Sequence, residues 1–348
     1  MKQRFVGMHF LIARTDNIGD VILTFPLVVK LKEYYPDAKV TMLARNYTQA
    51  IVERCPDIDA FLSEDDLKAK KDDERIEMLK ALNIDVFLPI QPNKDHAIWM
   101  RKAGVPIRVG HIHRNYFLRN SNRLIWRIKR KRTDMHQVQL CFQYLKGLKL
   151  PYTIERSEMA SLIRIKPFTP AVKAKALLDP EKFNLVLHPG TSGRNTLEWP
   201  KENFAGLMRL LPNTVKVFIT GSAKEKERFG DLLANHPNAV GLFGDLNLSE
   251  LVDFLSIVDG VVVGSTGPLH IAAMLGTPVI GLFPPQQDLD VKRWGGVGDS
   301  VINIEAPHCQ ESLKGIRCGC MAKITPEQIF EAMRANWAID TPPKRQGA

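Results

Sequence analysis

The sequence predicts an α/β protein of two Rossmann-like domains facing one another across a cleft. Three observations predict it. Short apolar runs of strand length alternate with segments of helical period, which implies parallel sheets with crossover helices. The alternation pauses between Pro151 and Pro170 and then restarts. At 348 residues the chain is too long for one small core and comfortable for two. The expected domains are 1–165 and 166–322. Residues 323–348 are expected to hold a terminal helix and a disordered tail.

In the first half, 10–13 is an apolar run of strand length, and 18–35 has helical spacing. Strands at 40–43, 60–62 and 86–90 alternate with helices at 47–54 and 74–82. A helix at 135–148 follows a basic stretch. The crossover 151–170 allows a further strand at 161–165. In the second half, strands at 185–187, 215–220, 260–264 and 279–283 alternate with helices at 202–211, 223–234, 248–258 and 268–275. Thr325 as N-cap and Pro326 at the first helical position open a last helix, 326–337.

Ligands of parallel sheets gather at the carboxyl ends of the strands, so the loops that follow strands are the candidates. The richest is Gly264-Ser265-Thr266-Gly267-Pro268-Leu269-His270. It turns from a buried strand into a helix and aims free N–H groups and a positive helix end at one point, which suits a phosphate. His188-Pro189-Gly190-Thr191-Ser192-Gly193-Arg194 offers hydroxyls, N–H groups and one cation after a strand. Thr220-Gly221-Ser222 leads to Glu225, an acidic residue where ribose hydroxyls could be accepted. In Arg14-Thr15-Asp16-Asn17-Ile18-Gly19-Asp20, the Asp20 carboxylate stands in a first helical turn. It is either a helix N-terminal partner or a general base, and Asp16 competes for both roles. Gln286, Gln287, Asp288 and Arg293 could contact sugar hydroxyls, but a plain surface loop explains them equally well.

The formal charge of +10 is concentrated. Between Lys94 and Arg132 there are twelve Lys and Arg residues, opposed only by Asp95 and interleaved with Trp99, Tyr116, Phe117 and Trp126. A solvated helix and loop is the ordinary reading of such a run. Its one-sidedness favours a surface for an anionic partner: nucleic acid, anionic lipid or a phosphorylated glycan. No RNA-binding signature accompanies it.

These motifs resemble the bacterial ADP-heptose–lipopolysaccharide heptosyltransferases, glycosyltransferase family 9, over nearly the whole chain. The resemblance rests on Asn17-Ile18-Gly19-Asp20-Val21-Ile22-Leu23-Thr24-Phe25-Pro26, on His188-Pro189-Gly190 with Trp199-Pro200, on Gly221-Ser222, and on Ser265-Thr266-Gly267-Pro268-Leu269-His270-Ile271-Ala272. It implies a GT-B fold, with the first domain binding acceptor, the second binding a nucleotide sugar, and the terminal helix of 323–348 crossing back to the first domain. It also implies an inverting transfer of heptose, or a similar sugar, from an ADP-sugar in lipopolysaccharide inner-core synthesis. Asp20 is then the general base. The donor is held by Thr191, Ser192, Arg194, Glu225, Leu246, Ser265, Thr266, Gly267 and His270. The basic residues Lys94, Arg114, Arg127, Arg130 and Arg132 are expected to meet an anionic core acceptor. Two positions depart from the family pattern. Leu197 stands where many members have lysine, so Arg194 or another cation must serve the leaving diphosphate. Ser265 stands where many have aspartate. The donor sugar is therefore left open.

No Asp-x-Asp pair in a metal-binding context appears, so neither metal nor cofactor is expected. His308, Cys309, Cys318 and Cys320 could hold zinc, but their spacing lacks the usual Cys-x-x-Cys pair. Both zinc and plain cysteines stay open. The absence of an apolar run of membrane-span length and of a signal-peptide pattern leads to the expectation of a cytoplasmic protein, peripheral to the inner membrane at most. The alternatives are a GT-B nucleotide-sugar epimerase, which has no need of the basic face, and a non-catalytic binder of anionic glycan or nucleic acid, which has no need of the Gly-Asp and phosphate loops.

Overall fold

The computed structural model describes residues 7–126, 128, 134–191, 198–313 and 319–341. The chain divides into two compact units, Met1–Lys166 and Pro167–Ala348. The first holds strands β1 (His9–Ala13), β2 (Lys39–Ala44), β3 (Ala60–Ser63), β4 (Val86–Pro89), β5 (Ile107–His111) and β6 (Arg123–Ile125). The second holds β7 (Phe183–His188), β8 (Val215–Gly221), β9 (Ala239–Phe243), β10 (Gly260–Gly264), β11 (Val279–Phe283) and β12 (Val301–Glu305). The sheet orders are β3-β2-β1-β4-β5-β6 and β12-β11-β10-β7-β8-β9, and every pairing is parallel.

Read from the third strand of each unit, the two orders are the same, 3-2-1-4-5-6. The order reverses between β1 and β4 in one sheet and between β7 and β10 in the other. Those switch points are where doubly wound sheets bind ligands. The central strands earn their place by composition. Phe10, Leu11 and Ile12, like Val261, Val262 and Val263, are wholly buried, as strands covered by helices on both faces require. Registers such as Phe10↔Val40 and Phe10↔Val86 lock β1 between its neighbours.

The sequence reading differs from the fold in a few elements. The helix expected at 18–35 is two helices, Ile18–Ile22 and Phe25–Tyr34. Pro26 has no N–H to give the carbonyl of Ile22, so the helix restarts there. The strand expected at 161–165 is absent. That stretch makes 3-10 turns at Arg156–Glu158 and Ala160–Leu162. Strands β5, β6, β9 and β12 were not anticipated. Three of them, β6, β9 and β12, are edge strands and β5 lies next to one; all four are partly solvated, and β6 is three residues opening on an exposed arginine. The helix Pro326–Asn336, expected to cross back, belongs to the second unit. Its Ile329 and Met333 join Trp199, Phe204 and Leu207 in that unit's core. Trp199 fixes the junction, donating its indole N–H to the carbonyl of Ile324 at 2.8 Å. The tail beyond residue 341 lies outside the described residues.

Candidate active site

In the first unit the site is built at the switch point. The backbone leaves β1 through Arg14 and Thr15 and enters the helix Ile18–Ile22, whose first turn carries Asp20. Thr15 crosses to the end of β4, giving both its N–H (3.0 Å) and its hydroxyl (2.6 Å) to the side-chain oxygen of Gln91. Arg14 is buried and paired with two carboxylates: its Nη2 with Asp20 Oδ1 and its Nε with Asp16 Oδ1 at 2.8 Å. Burial alone would weaken the hold of Arg14 on its proton. Asp20 and Asp16 outweigh it and raise the guanidinium above its ordinary range. Asp20 is itself 6% exposed. With Oδ1 on Arg14, its Oδ2 lies 3.5 Å from the amide nitrogen of Asn17. A fixed, nearly buried carboxylate with one oxygen engaged can take a proton through the other. Asp16 shares Arg14 through its Oδ1, and its backbone carbonyl receives the hydroxyl of Tyr47 at 2.7 Å.

Lys94 and Arg114 follow β4 and β5, so they stand at the same sheet edge as Asp20, and both are exposed. Arg127, Arg130 and Arg132 lie outside the described residues.

In the second unit, the loops after β7, β8 and β10 converge. A Cβ on Gly264 would lie 3.6 Å from Thr191 Cγ2. One on Gly190 would meet Glu225 Oε1 at 1.9 Å, so a side chain there would push the Glu225 carboxylate aside. The helix Gly267–Leu275 points its N-terminus at this place. Thr266 precedes it in extended conformation with no side-chain cap on the first N–H groups, and Pro268 lies inside the first turn. His270 is buried in that turn, while Ser265, Thr266 and Gly267 keep partial exposure. Leu246 is half-buried just beyond β9. Glu225 Oε2 accepts the N–H (2.7 Å) and hydroxyl (2.8 Å) of Ser222, which leaves Oε1 beside Gly190. His188 bonds the hydroxyl of Thr220 at 2.9 Å, and the surrounding protein pushes its pKa down to about 4 against a weaker opposing pull from Glu225. The ring is therefore neutral at pH 7. Ser192 and Arg194 lie outside the described residues.

Two residues that the sequence reading passed over complete this site. Glu198 is buried. Its Oε1 accepts the N–H (3.0 Å) and hydroxyl (2.9 Å) of Thr191, and its Oε2 pairs with Arg228 Nη2. Arg228 belongs to the helix Lys226–Phe229 that follows β8, so one carboxylate ties two loops together. The available signal was a charged residue next to a buried Trp-Pro. Arg14 had a clearer one, a charge directly after a wholly apolar strand. Among the loop residues after β11, Gln286 and Arg293 are buried, and Trp294 donates its indole N–H to the carbonyl of Asp288 at 2.7 Å.

Cys309 and Cys320 place their sulfurs 3.0 Å apart, and Cys320 is buried in the core of the second unit. Cys318 lies outside the described residues. Among the described residues no three His, Cys, Asp or Glu side chains gather as a metal site.

Each unit thus presents a Rossmann switch point: one with a fixed carboxylate, the other with an anion-seeking helix end and hydroxyls. Known proteins share this fold. The family model "Glycosyltransferase family 9 (heptosyltransferase)" matches residues 76–319. Lipooligosaccharide heptosyltransferase 2 of Haemophilus influenzae is 25% identical, over 80% of this chain and 84% of its own length. Lipopolysaccharide heptosyltransferase 2 of Escherichia coli strain K12 is 22% identical, over 80% and 83%. The solved structure of E. coli ADP-heptose lps heptosyltransferase II superposes with a TM-score of 0.74 at 19% identity, over 94% of this chain and 98% of that one. A family 9 glycosyl transferase from Veillonella parvula gives 0.77 at 17% identity, over 96% and 98%. The fold is therefore the GT-B-like fold of those structures, and the chain belongs to glycosyltransferase family 9, the heptosyltransferases.

Proposed function

We propose that the chain transfers a heptose, or a similar sugar, from an ADP-sugar to an acceptor of the lipopolysaccharide inner core, by a single displacement that inverts the anomeric carbon. The observation that carries this reading is the placement of Asp20 at the first unit's switch point, held by Arg14. Asp20 Oδ2 takes the proton of the acceptor hydroxyl as that oxygen attacks. Arg14 acts as a positioning residue that fixes the carboxylate through Oδ1. The leaving diphosphate is met by the N–H groups that open the helix Gly267–Leu275, by the hydroxyl of Thr266 and by His270, while Thr191, with its N–H and hydroxyl both given to Glu198, shapes the loop beside them. Glu225 Oε1 is the acceptor for a ribose hydroxyl, and Leu246 lies against the base. Arg194, or another cation, adds charge at the leaving group. Lys94, Arg114 and the arginines at 127, 130 and 132 supply the positive charge for the anionic acceptor. The chemistry uses no metal and no cofactor, and it takes place in the cytoplasm, where a nucleotide sugar and a lipid-linked core acceptor meet.

The test follows ADP and UDP release from a panel of nucleotide sugars with a purified core acceptor, with and without chelator. Asp20→Asn should keep ADP affinity by calorimetry and lose turnover by ~10²–10⁴-fold, the usual contribution of a positioned base. Turnover like the wild type would remove Asp20 from that role. His270→Ala should weaken ADP binding while turnover at saturating donor holds.

A further inference from the structure

Eight large hydrophobic side chains are well exposed among the described residues, and five of them fall between 118 and 152: Leu118, Leu124, Trp126, Ile128 and Tyr152. Single exposed leucines are ordinary, but a grouped set is not. The set stands at one edge of the first sheet. Leu118 rides on the helix Asn115–Asn120, which leads into the edge strand β6. Leu124 faces outward from that strand, Ile125 faces in, and Trp126 follows at 67% exposure, the highest of the five. The Trp126 ring meets His113 edge-on at 4.9 Å. Its carbonyl receives Lys146 Nζ at 3.4 Å, and that ammonium stands 4.3 Å over the Tyr152 ring. Trp126, Lys146 and Tyr152 are therefore one contiguous surface.

The charges around it have one sign. Arg114, Arg119 and Arg123 are exposed in the same stretch, and the sequence continues with Arg127, Lys129, Arg130, Lys131 and Arg132. No acidic residue occurs between Asp95 and Asp134. A second copy of a chain with a formal charge of +10 would meet this face with like charge. Aliphatic side chains beside the cations suit acyl chains better than bases or sugars. An exposed tryptophan set among arginines is the composition of a surface that sits in a headgroup layer. No described helix is long and apolar enough to cross a membrane.

We propose that this edge of the first unit is a membrane-docking face. Trp126, Leu124 and Leu118 enter the boundary between headgroups and acyl chains of an anionic phospholipid bilayer, and Arg119 and Arg123 meet its phosphates. The proposal rests on the proposed function only for what makes such a face useful, a lipid-linked acceptor. Vesicle binding needs neither donor nor acceptor, so either reading can fail alone.

The experiment sediments the full chain with phosphatidylglycerol/phosphatidylethanolamine vesicles and with pure phosphatidylcholine vesicles, across a salt series. Binding should be confined to the anionic vesicles and fall with salt. Arg119→Ser and Arg123→Ser should each weaken it by about fivefold, the usual worth of one basic residue near such a surface. Trp126→Ala combined with Leu124→Ser should weaken it by roughly tenfold or more. The double variant should keep its melting temperature, its ADP affinity and its turnover on an acyl-free acceptor. Failure of the wild type to sediment with anionic vesicles overturns the proposal, as does undiminished sedimentation of the double variant. A solution dimer lost in the double variant would assign the face to a second copy. Turnover on the acyl-free acceptor lost in step with vesicle binding would assign it to the glycan.

Discussion

Glu198 is a charge inside the protein whose partners sit on different loops. Its carboxylate satisfies two donors of Thr191 and holds the guanidinium of Arg228. Truncating it leaves the buried Thr191 donors without their acceptor, a cost of about 1–3 kcal/mol. Glu198→Ala should lower the urea midpoint accordingly and weaken ADP binding, while Glu198→Gln, which keeps an acceptor oxygen for Thr191, should recover most of the stability. Equal midpoints for Glu198→Ala and the wild type would show that the contact carries no weight. His188 makes a separate prediction. Its folded pKa of about 4 lies below the 6.5 of an ordinary histidine. Between those values the unfolded chain binds a proton that the folded chain refuses. The stabilisation is whole above pH 6.5 and is lost as the pH falls toward 4. Burial lowers His9 and His236 as well, so they act in the same direction. Unfolding midpoints measured from pH 7.5 to 4.5 should fall, and they should fall less steeply in His188→Asn.

Among the elements, the segment 319–341 shows how much one indole can organise. Trp199 ends the donor loop, packs edge-on against Phe204 at 4.6 Å and bonds the carbonyl just before Thr325, the cap of the last helix. Trp199→Ala should cost about 3–5 kcal/mol by denaturant unfolding, the range for a large aromatic lost from a core. Retention of the full midpoint would mean that this segment closes over the gap. The sequence made that helix legible through Thr325 and Pro326, but not its destination, because periodicity reports which face is apolar and not what it meets. The central strands were equally legible, since Phe10–Ile12 and Val261–Val263 are apolar without interruption. Of the four edge strands only β3 was. In β6 and β12 only part of each strand is covered, so side-chain pattern says little about backbone pairing. The candidate site divides in the same way. Asp20 and the Gly264–His270 turn carry signals within a few residues. Glu198 and Arg228 are thirty positions apart and meet only in the fold.

At the scale of the whole molecule, each sheet draws all six strands from one contiguous half of the chain. All the described residues proposed to hold the donor, from Thr191 to His270, belong to the second half. A fragment of residues 167–348 should therefore unfold cooperatively and bind ADP within about tenfold of the full chain, a loss of at most ~1.4 kcal/mol. Calorimetry checks the binding and circular dichroism the melt. A fragment that folds and does not bind would place part of the nucleotide site in the first half.

The shared strand order of the two sheets has a consequence for inheritance. In each half the proposed catalytic and donor-binding residues hang mainly from the first and fourth strands, at the centre of the sheet, where any backbone change disturbs two neighbours. In the first half the proposed docking face follows the fifth strand and ends on the sixth, the free edge, where a strand can lengthen, shorten or change its charge at little structural cost. Selection can therefore revise which surface the chain meets by editing a short marginal stretch, while the central loops are passed on untouched.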